Sequence, residues 1–309
     1  MTSRIGTDTV GNSYKEWTVD DLGAPDVANA VVDGSDTTTD DNATGNRVGN
    51  HCQISVKGLN VSTRARGSDT IGYSDELSRQ VMRGQQRLRR DVEAIMLTVQ
   101  ASQADGGSAS ATPGQSAGLG AWLETNTSHG ATTGAAGGFN ASTGIVDAPT
   151  AGDARAISET AVRDVAESVY TQGGNPTVLM STPTVIRQLS SYMFTSSARI
   201  ATAMSDVGQD RSAATAVGAV NVFVTDFDVV LDMIPNRLQQ LETGDLATAY
   251  VITPNMLSIG YLVGYRTEPL SKTGLSDKRQ ICVDWTLIVK NEKAHGGIFD
   301  IDPTLAGIA

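Results

Sequence analysis

Residues 75–102, DELSRQVMRGQQRLRRDVEAIMLTVQAS, constrain the fold more than any other stretch of this chain. Leu77, Val81, Leu88, Val92, Ile95 and Val99 recur at steps of three, four and seven, which lines them along one stripe of an α-helix. At roughly 1.5 Å per residue, such a helix is about 40 Å long and needs an extended surface to lie against. Ser74 is expected to cap it, and Asp75 and Glu76 complement its positive end. Gly84 falls on the apolar stripe, at a cost of about 1 kcal/mol relative to Ala, and signals a close backbone approach or a bend. Arg79, Arg83 and Arg87 step by four and stack along a second face, with Arg89 and Arg90 close behind.

That concentration of positive charge stands out because the whole chain carries a net charge of −11. An acidic balance argues against broad nucleic-acid binding, which needs a cationic surface, and favours solubility. The 309 residues suffice for one large domain or two ordinary ones. An aromatic fraction of only 5% and 32 glycines suit β-structure with long loops better than an enzyme with a deep aromatic pocket. Cys52 and Cys282 lie far apart, so no disulfide framework is readable and a reducing compartment is expected. No apolar signal-peptide region or bilayer-spanning run is present, which points to a soluble protein made in a cytoplasm.

Residues 1–15 read as a flexible polar arm. From 16 to 66 the chain reads as a two-stranded ribbon: a strand around Trp17, the solvated tip GSDTTTDDNATGN, and a return in which Cys52, Ile54 and Val56 share one face. Such a ribbon is marginal alone and needs a partner surface. The Gly/Ala/Ser/Thr-rich stretch 102–152 reads as surface loop or weak strand, anchored around Trp122. A mixed α/β region follows. It has a helix with Ile157, Ala161, Val165 and Val169 on its buried face, a strand in PTVLM, and a helix opened by Pro183. Two strands then turn near Asp226, followed by a strand in AYVITP. The clearest β signal closes the chain: Ile259, Tyr261, Val263 and Tyr265 alternate, as do Ile281, Val283, Trp285, Leu287 and Val289, which predicts a long hairpin.

Catalytic patterns are weak. GQSAG (Gly114–Gly118) matches G-x-S-x-G, but the strand that must precede a nucleophile elbow is replaced by DGGSASATP, so Ser116 reads as a chance match. His51, His129 and His295 lack metal-ligand spacing and suit surface or turn roles. No phosphate or dinucleotide fingerprint is present, and the DGSDTTTDD carboxylates lack EF-hand spacing and read as a solvated loop. The Asn42 sequon carries little weight without a signal peptide. No enzyme activity, cofactor or metal is expected. The arginine row reads either as a solvated face or as an interface for bidentate contacts with carboxylates. An arm, a ribbon and a long helix together favour an assembly.

The order of arm, extended loop, long helix, Gly-rich stretch, α/β domain and final hairpin resembles the tailed-phage major capsid proteins of the HK97-like fold family. The phrases EWTVDDL, RRDVEAIMLT, GLGAWLETN, TDFDVVLDMIPNR and KTGLSDKRQICVDWTLIVKNEKAHGGI look like one branch of that family. The resemblance covers nearly the whole chain from Trp17 onward and implies an α+β subunit. Its parts would be an N-terminal arm (1–15), an E-loop hairpin (16–66), a first P-domain part (67–152) with a spine helix (75–102), an A-domain (153–250) and a P-domain return hairpin (251–309).

The function implied is a structural subunit that self-assembles as hexamers and pentamers into the icosahedral head of a virion. That head would enclose double-stranded DNA without sequence-specific binding, contact no membrane and be built in the host cytoplasm. Portal, scaffolding and decoration proteins are the implied partners. No helical pro-segment is readable, so a scaffold is expected to be a separate protein. Candidate inter-subunit residues are Arg79, Arg83, Arg87, Arg90, Trp17 and Lys57. Some family members join subunits by a Lys–Asn isopeptide bond aided by a Glu. Lys57 lies in the implied E-loop, but no partner Asn or Glu matches and no crosslink is assigned. The competing readings are an encapsulin-like compartment shell and, from the Thr/Gly/Asp-rich tracts, a secreted surface or adhesin protein.

Overall fold

The computed structural model describes all residues except 21–24, 37–43, 69–71, 73, 108–110, 194–221 and 306–309. The first elements are β1 (Gly6–Thr9), β2 (Tyr14–Val19), β3 (Asn46–His51), β4 (Gln53–Ser62) and a short turn α1 (Thr63–Gly67). The long helix α2 (Glu76–Met96) follows, then α3 (Leu119–Trp122) and the short strands β5 (Thr127–Ser128), β6 (Gly138–Asn140) and β7 (Ile145–Asp147). Next come α4 (Glu159–Thr171), β8 (Val178–Ser181), α5 (Pro183–Met193), β9 (Val222–Val224), β10 (Val230–Pro235) and β11 (Ala247–Ile252). The long strands β12 (Leu257–Pro269) and β13 (Ser276–Val289) and the closing strand β14 (Gly296–Ile301) complete the order.

The predicted final hairpin forms. β12 and β13 pair antiparallel from Leu257 opposite Val289 to Pro269 opposite Arg279, with irregularities flanking Val263 that let the ribbon bend. β4 adds to the free side of β13 and β1 to β12, giving the order β1-β12-β13-β4. The alternating Ile281, Val283, Trp285, Leu287 and Val289 all turn inward and meet the buried side of α2, which is Leu77, Gly84, Leu88, Val92 and Met96. A Cβ on Gly84 would stand 2.7 Å from Ile281 Cδ1, so glycine lets the helix backbone settle onto the sheet there. The surface that the long helix needed is therefore the β13–β4 face.

A second sheet runs in the order β5-β14-β11-β8-β10-β9, with β8 and β10 parallel. Val162, Val165 and Ala166 of α4 pack on it with Leu189 of α5 and Phe223, Leu231 and Ile298, forming a second core. β5 and β14 come from outside residues 153–250, because the chain returns to this sheet at both flanks. Tyr250 joins the two halves: it packs in the first core, and its hydroxyl donates to Leu97 O at 3.0 Å, just past the end of α2.

Several expectations change. The arm is not free along its length: β1 pairs in parallel with β12, and Ile5 and Val10 are buried. The ribbon is β2–β3 alone, since β4 leaves it to join β13. The face of β4 is inverted. Ser55 and Val61 point inward, while Ile54 is 64% and Val56 is 44% exposed; alternation defines two faces, and docking chooses between them. Asp75, not Ser74, caps α2, and the helix stops at Met96 rather than 102. In the Gly-rich stretch, the anchored part extends from Ser116 to Leu123, all buried. The Asn42 sequon and most of the GSDTTTDD tip lie outside the described residues.

Candidate inter-subunit surface

The candidate surface is built on α2. The Asp75 carboxylate accepts from the backbone N–H of Leu77 (3.1 Å) and Ser78 (3.3 Å) and from the Ser78 hydroxyl (2.6 Å). The Ser78 hydroxyl and those N–H groups hold its pKa below the usual carboxylate range. One turn on, the Arg79 guanidinium donates twice to Glu76, at 2.8 and 2.9 Å. Arg79 is thus engaged within its own helix. Arg89 lies over the Tyr265 ring, 5.3 Å from its centroid. Lys57 Nζ pairs with Asp91 Oδ2 at 2.5 Å and ties β4 to α2. Trp17 is half-buried: its indole N–H donates to Val289 O at 3.0 Å, and its ring stands 5.4 Å from that of Trp122.

Arg83 and Arg87 differ from these. Both are exposed, and neither has an acidic partner among the described residues. Arg90, also exposed, lines a cleft of about 540 Å³ together with Arg4, Arg237 and Glu93. Sequence reasoning missed Arg4 and Arg237, which only the docking of β1 and the 234–238 segment brings beside α2. Burial works against ionising Glu93, but hydrogen bonds from the Met1 amino group (2.7 Å) and Asn236 Nδ2 (2.9 Å) overcome it and hold the pKa low.

The residues screened for chemistry have structural surroundings. Ser116 is fully buried, and its Oγ accepts from Leu287 N (3.1 Å) and Asn50 Nδ2 (3.2 Å). His295 is fully buried rather than on the surface, and its Nδ1 accepts from Thr253 N at 3.3 Å. His129 is likewise largely buried, its ring stacked on Phe299 at 4.6 Å. His51 packs against Tyr14, and burial lowers its pKa. Among the described residues, no three His, Cys, Asp or Glu side chains are placed to hold a metal ion. No helix there is long and apolar enough to cross a membrane.

A long helix laid on a four-stranded sheet, a two-stranded ribbon and a second mixed sheet together define the class of HK97-like capsid proteins. The fold is similar to a structure from Mycobacterium phage Bobi, at a TM-score of 0.56 and 13% identity, covering 97% of this chain and 89% of that one. It is similar to the capsid of Cyanophage P-SCSP1u (TM-score 0.53, 10% identity, 97% and 86% covered). It is also similar to the holo-SrpI encapsulin complex of Synechococcus elongatus PCC 7942 (TM-score 0.54, 11% identity, 99% and 88% covered). Curated protein sequences give no match. The family described as SU10 major capsid protein matches residues 1–302, and the chain belongs to it. It is a subunit of the homo-oligomeric, icosahedral shell of a bacteriophage virion.

Proposed function

We propose that the Arg83–Arg87 face of α2 holds neighbouring subunits together by gripping their acidic segments. The observation that supports this is the contrast within one helix. Arg79 has its carboxylate at home, whereas Arg83 and Arg87 are exposed without one among the described residues. Guanidinium groups favour bidentate contact with carboxylates, and a chain of net charge −11 brings many of these to every interface. Arg90 extends the same surface, and Trp17 and Lys57 brace the ribbon and β4 that flank it. Of the 16–66 segment, the β2–β3 ribbon would reach over the adjacent subunit as an E-loop while β4 stays in the main sheet, and residues 153–250 would meet around the five- and six-fold axes of pentamers and hexamers.

The shell would enclose double-stranded DNA without reading its sequence, and the acidic balance favours a lining that repels the packaged polymer. Assembly in the host cytoplasm, with separate portal, scaffolding and decoration proteins, follows from the same reading. Negative-stain electron microscopy of the expressed chain, alone and with its genomic neighbours, tests it. Uniform angular shells containing DNA in the native particle are expected. Shells filled with a cargo protein instead would favour a compartment, and monomers under every condition would count against self-assembly.

A further inference from the structure

A second site lies away from α2, on the flank of the six-stranded sheet. A cavity of about 250 Å³ is lined by Val99, Leu246 and Phe299 on its apolar side and by His129, Glu242 and Asp300 on its polar side. The buried polar atoms here are not satisfied. Glu242 Oε1 and His129 Nε2 have no hydrogen-bond partner among the described residues, and His129 Nδ1 has only the Asp300 carboxylate, at 3.6 Å. Gln239 Oε1, on a side chain whose amide bonds Thr248 of the same wall, has none either. Each such buried group left unmet costs on the order of 1–3 kcal/mol, and two of them, Glu242 Oε1 and Gln239 Oε1, are acceptors that call for a donor.

The charges say which kind of donor. Asp300 is already served: its Oδ2 accepts from Gly130 N at 2.9 Å and stands 3.6 Å from His129 Nδ1. The Arg155 guanidinium, held by Phe299 O (3.2 Å) and Ser128 O (2.6 Å), also acts on Asp300. Glu242 has no cation beside it among the described residues, and burial pushes its pKa up despite a hydrogen bond from the Val99 backbone. An inorganic cation is disfavoured, because no three ligating side chains converge among the described residues.

We infer that this cavity receives a lysine or arginine side chain from a second copy of the chain, with Glu242 as its counter-ion. The reasoning rests on the chain's place in a shell, where every subunit meets others and exposed arginines such as Arg83 and Arg87, without an acidic partner among the described residues, are available. The volume suits one long side chain whose methylenes lie against Val99, Leu246 and Phe299 while its charged head reaches the carboxylate.

Two measurements on the full chain test this. Glu242→Gln keeps the shape and removes the charge. The unassembled subunit should melt at or above the wild-type temperature, while the protein concentration needed to form shells rises at least tenfold. Shells forming at the wild-type concentration, or a fall in subunit melting that accounts for the lost assembly, would overturn the inference. A high-resolution map of the wild-type shell should show a basic side chain of a neighbouring copy within hydrogen-bonding distance of Glu242. Density that connects to no protein chain, whether water or a free amine, would also overturn it. Shells from the wild type alongside normal shells from the variant would leave the capsid reading intact and remove only this contact.

Discussion

Ser116 sits where three segments meet, and its hydroxyl accepts from the Leu287 amide. Ser116→Ala leaves that buried N–H unmet, at a cost of about 1–3 kcal/mol. The urea midpoint of the unassembled subunit should drop accordingly, and an unchanged midpoint would show that the hydroxyl is dispensable. His295 makes a pH prediction. Burial lowers its pKa to about 4, against an ordinary value of about 6.5. The unfolded chain therefore takes up a proton below that ordinary value that the folded chain refuses until about 4. This contribution to stability is complete at higher pH and declines as the pH falls from about 6.5, with a loss of about 2 kcal/mol by pH 5. Melting temperature followed against pH should show a shallower slope for His295→Gln than for the wild type. Parallel curves would mean that the ring is protonated in place.

At the scale of elements, α2 was legible from its spacing: the stripe beginning at Leu77 is the side that meets the sheet. Gly84 was legible as an anomaly, and its reason came from two other strands, since Ile281 of β13 and Leu59 of β4 occupy the space of a side chain. The atoms nearest a new Cβ are the movable ends of those side chains. Gly84→Ala should therefore be close to neutral, with the helix-propensity gain of about 1 kcal/mol offsetting the crowding. Gly84→Val adds a branched group to the same gap and should cost about 1–3 kcal/mol. Equal urea midpoints for the two variants would show that the helix stands off the sheet. The cap was misplaced by one residue because Ser74 and Asp75 are both good capping residues, and only backbone geometry chooses between them.

At the scale of the whole molecule, stability and assembly should separate. Arg83 and Arg87 are exposed and unpartnered within the described chain, so reversing both to Glu should shift subunit stability by no more than about 0.5 kcal/mol. The same double variant should form no shells by electron microscopy, because it would set carboxylates against the carboxylates of neighbours. Normal shells from it would remove the arginine face from the interface. The bulk charge of −11 gave no hint of this division, since it averages over faces that meet different surroundings.

Periodicity alone determined that a one-sided helix starts near Asp75, though not that it ends at Met96, that the chain closes on a long hairpin with Ile281 to Val289 inward, and that arginines stack along a helix face. These are properties of neighbours within a few residues, where backbone geometry fixes which side chains share a side. Tertiary structure decided the rest. It chose which face of β4 is buried, drew β1 onto β12, moved β4 from the ribbon to the main sheet, and paired Lys57 with Asp91. It also gathered His129, Glu242 and Asp300 around one cavity, although no motif links them. Each of these outcomes depends on how separately formed elements dock, and docking is settled by burial and hydrogen bonding across long sequence separations, which local propensity does not encode.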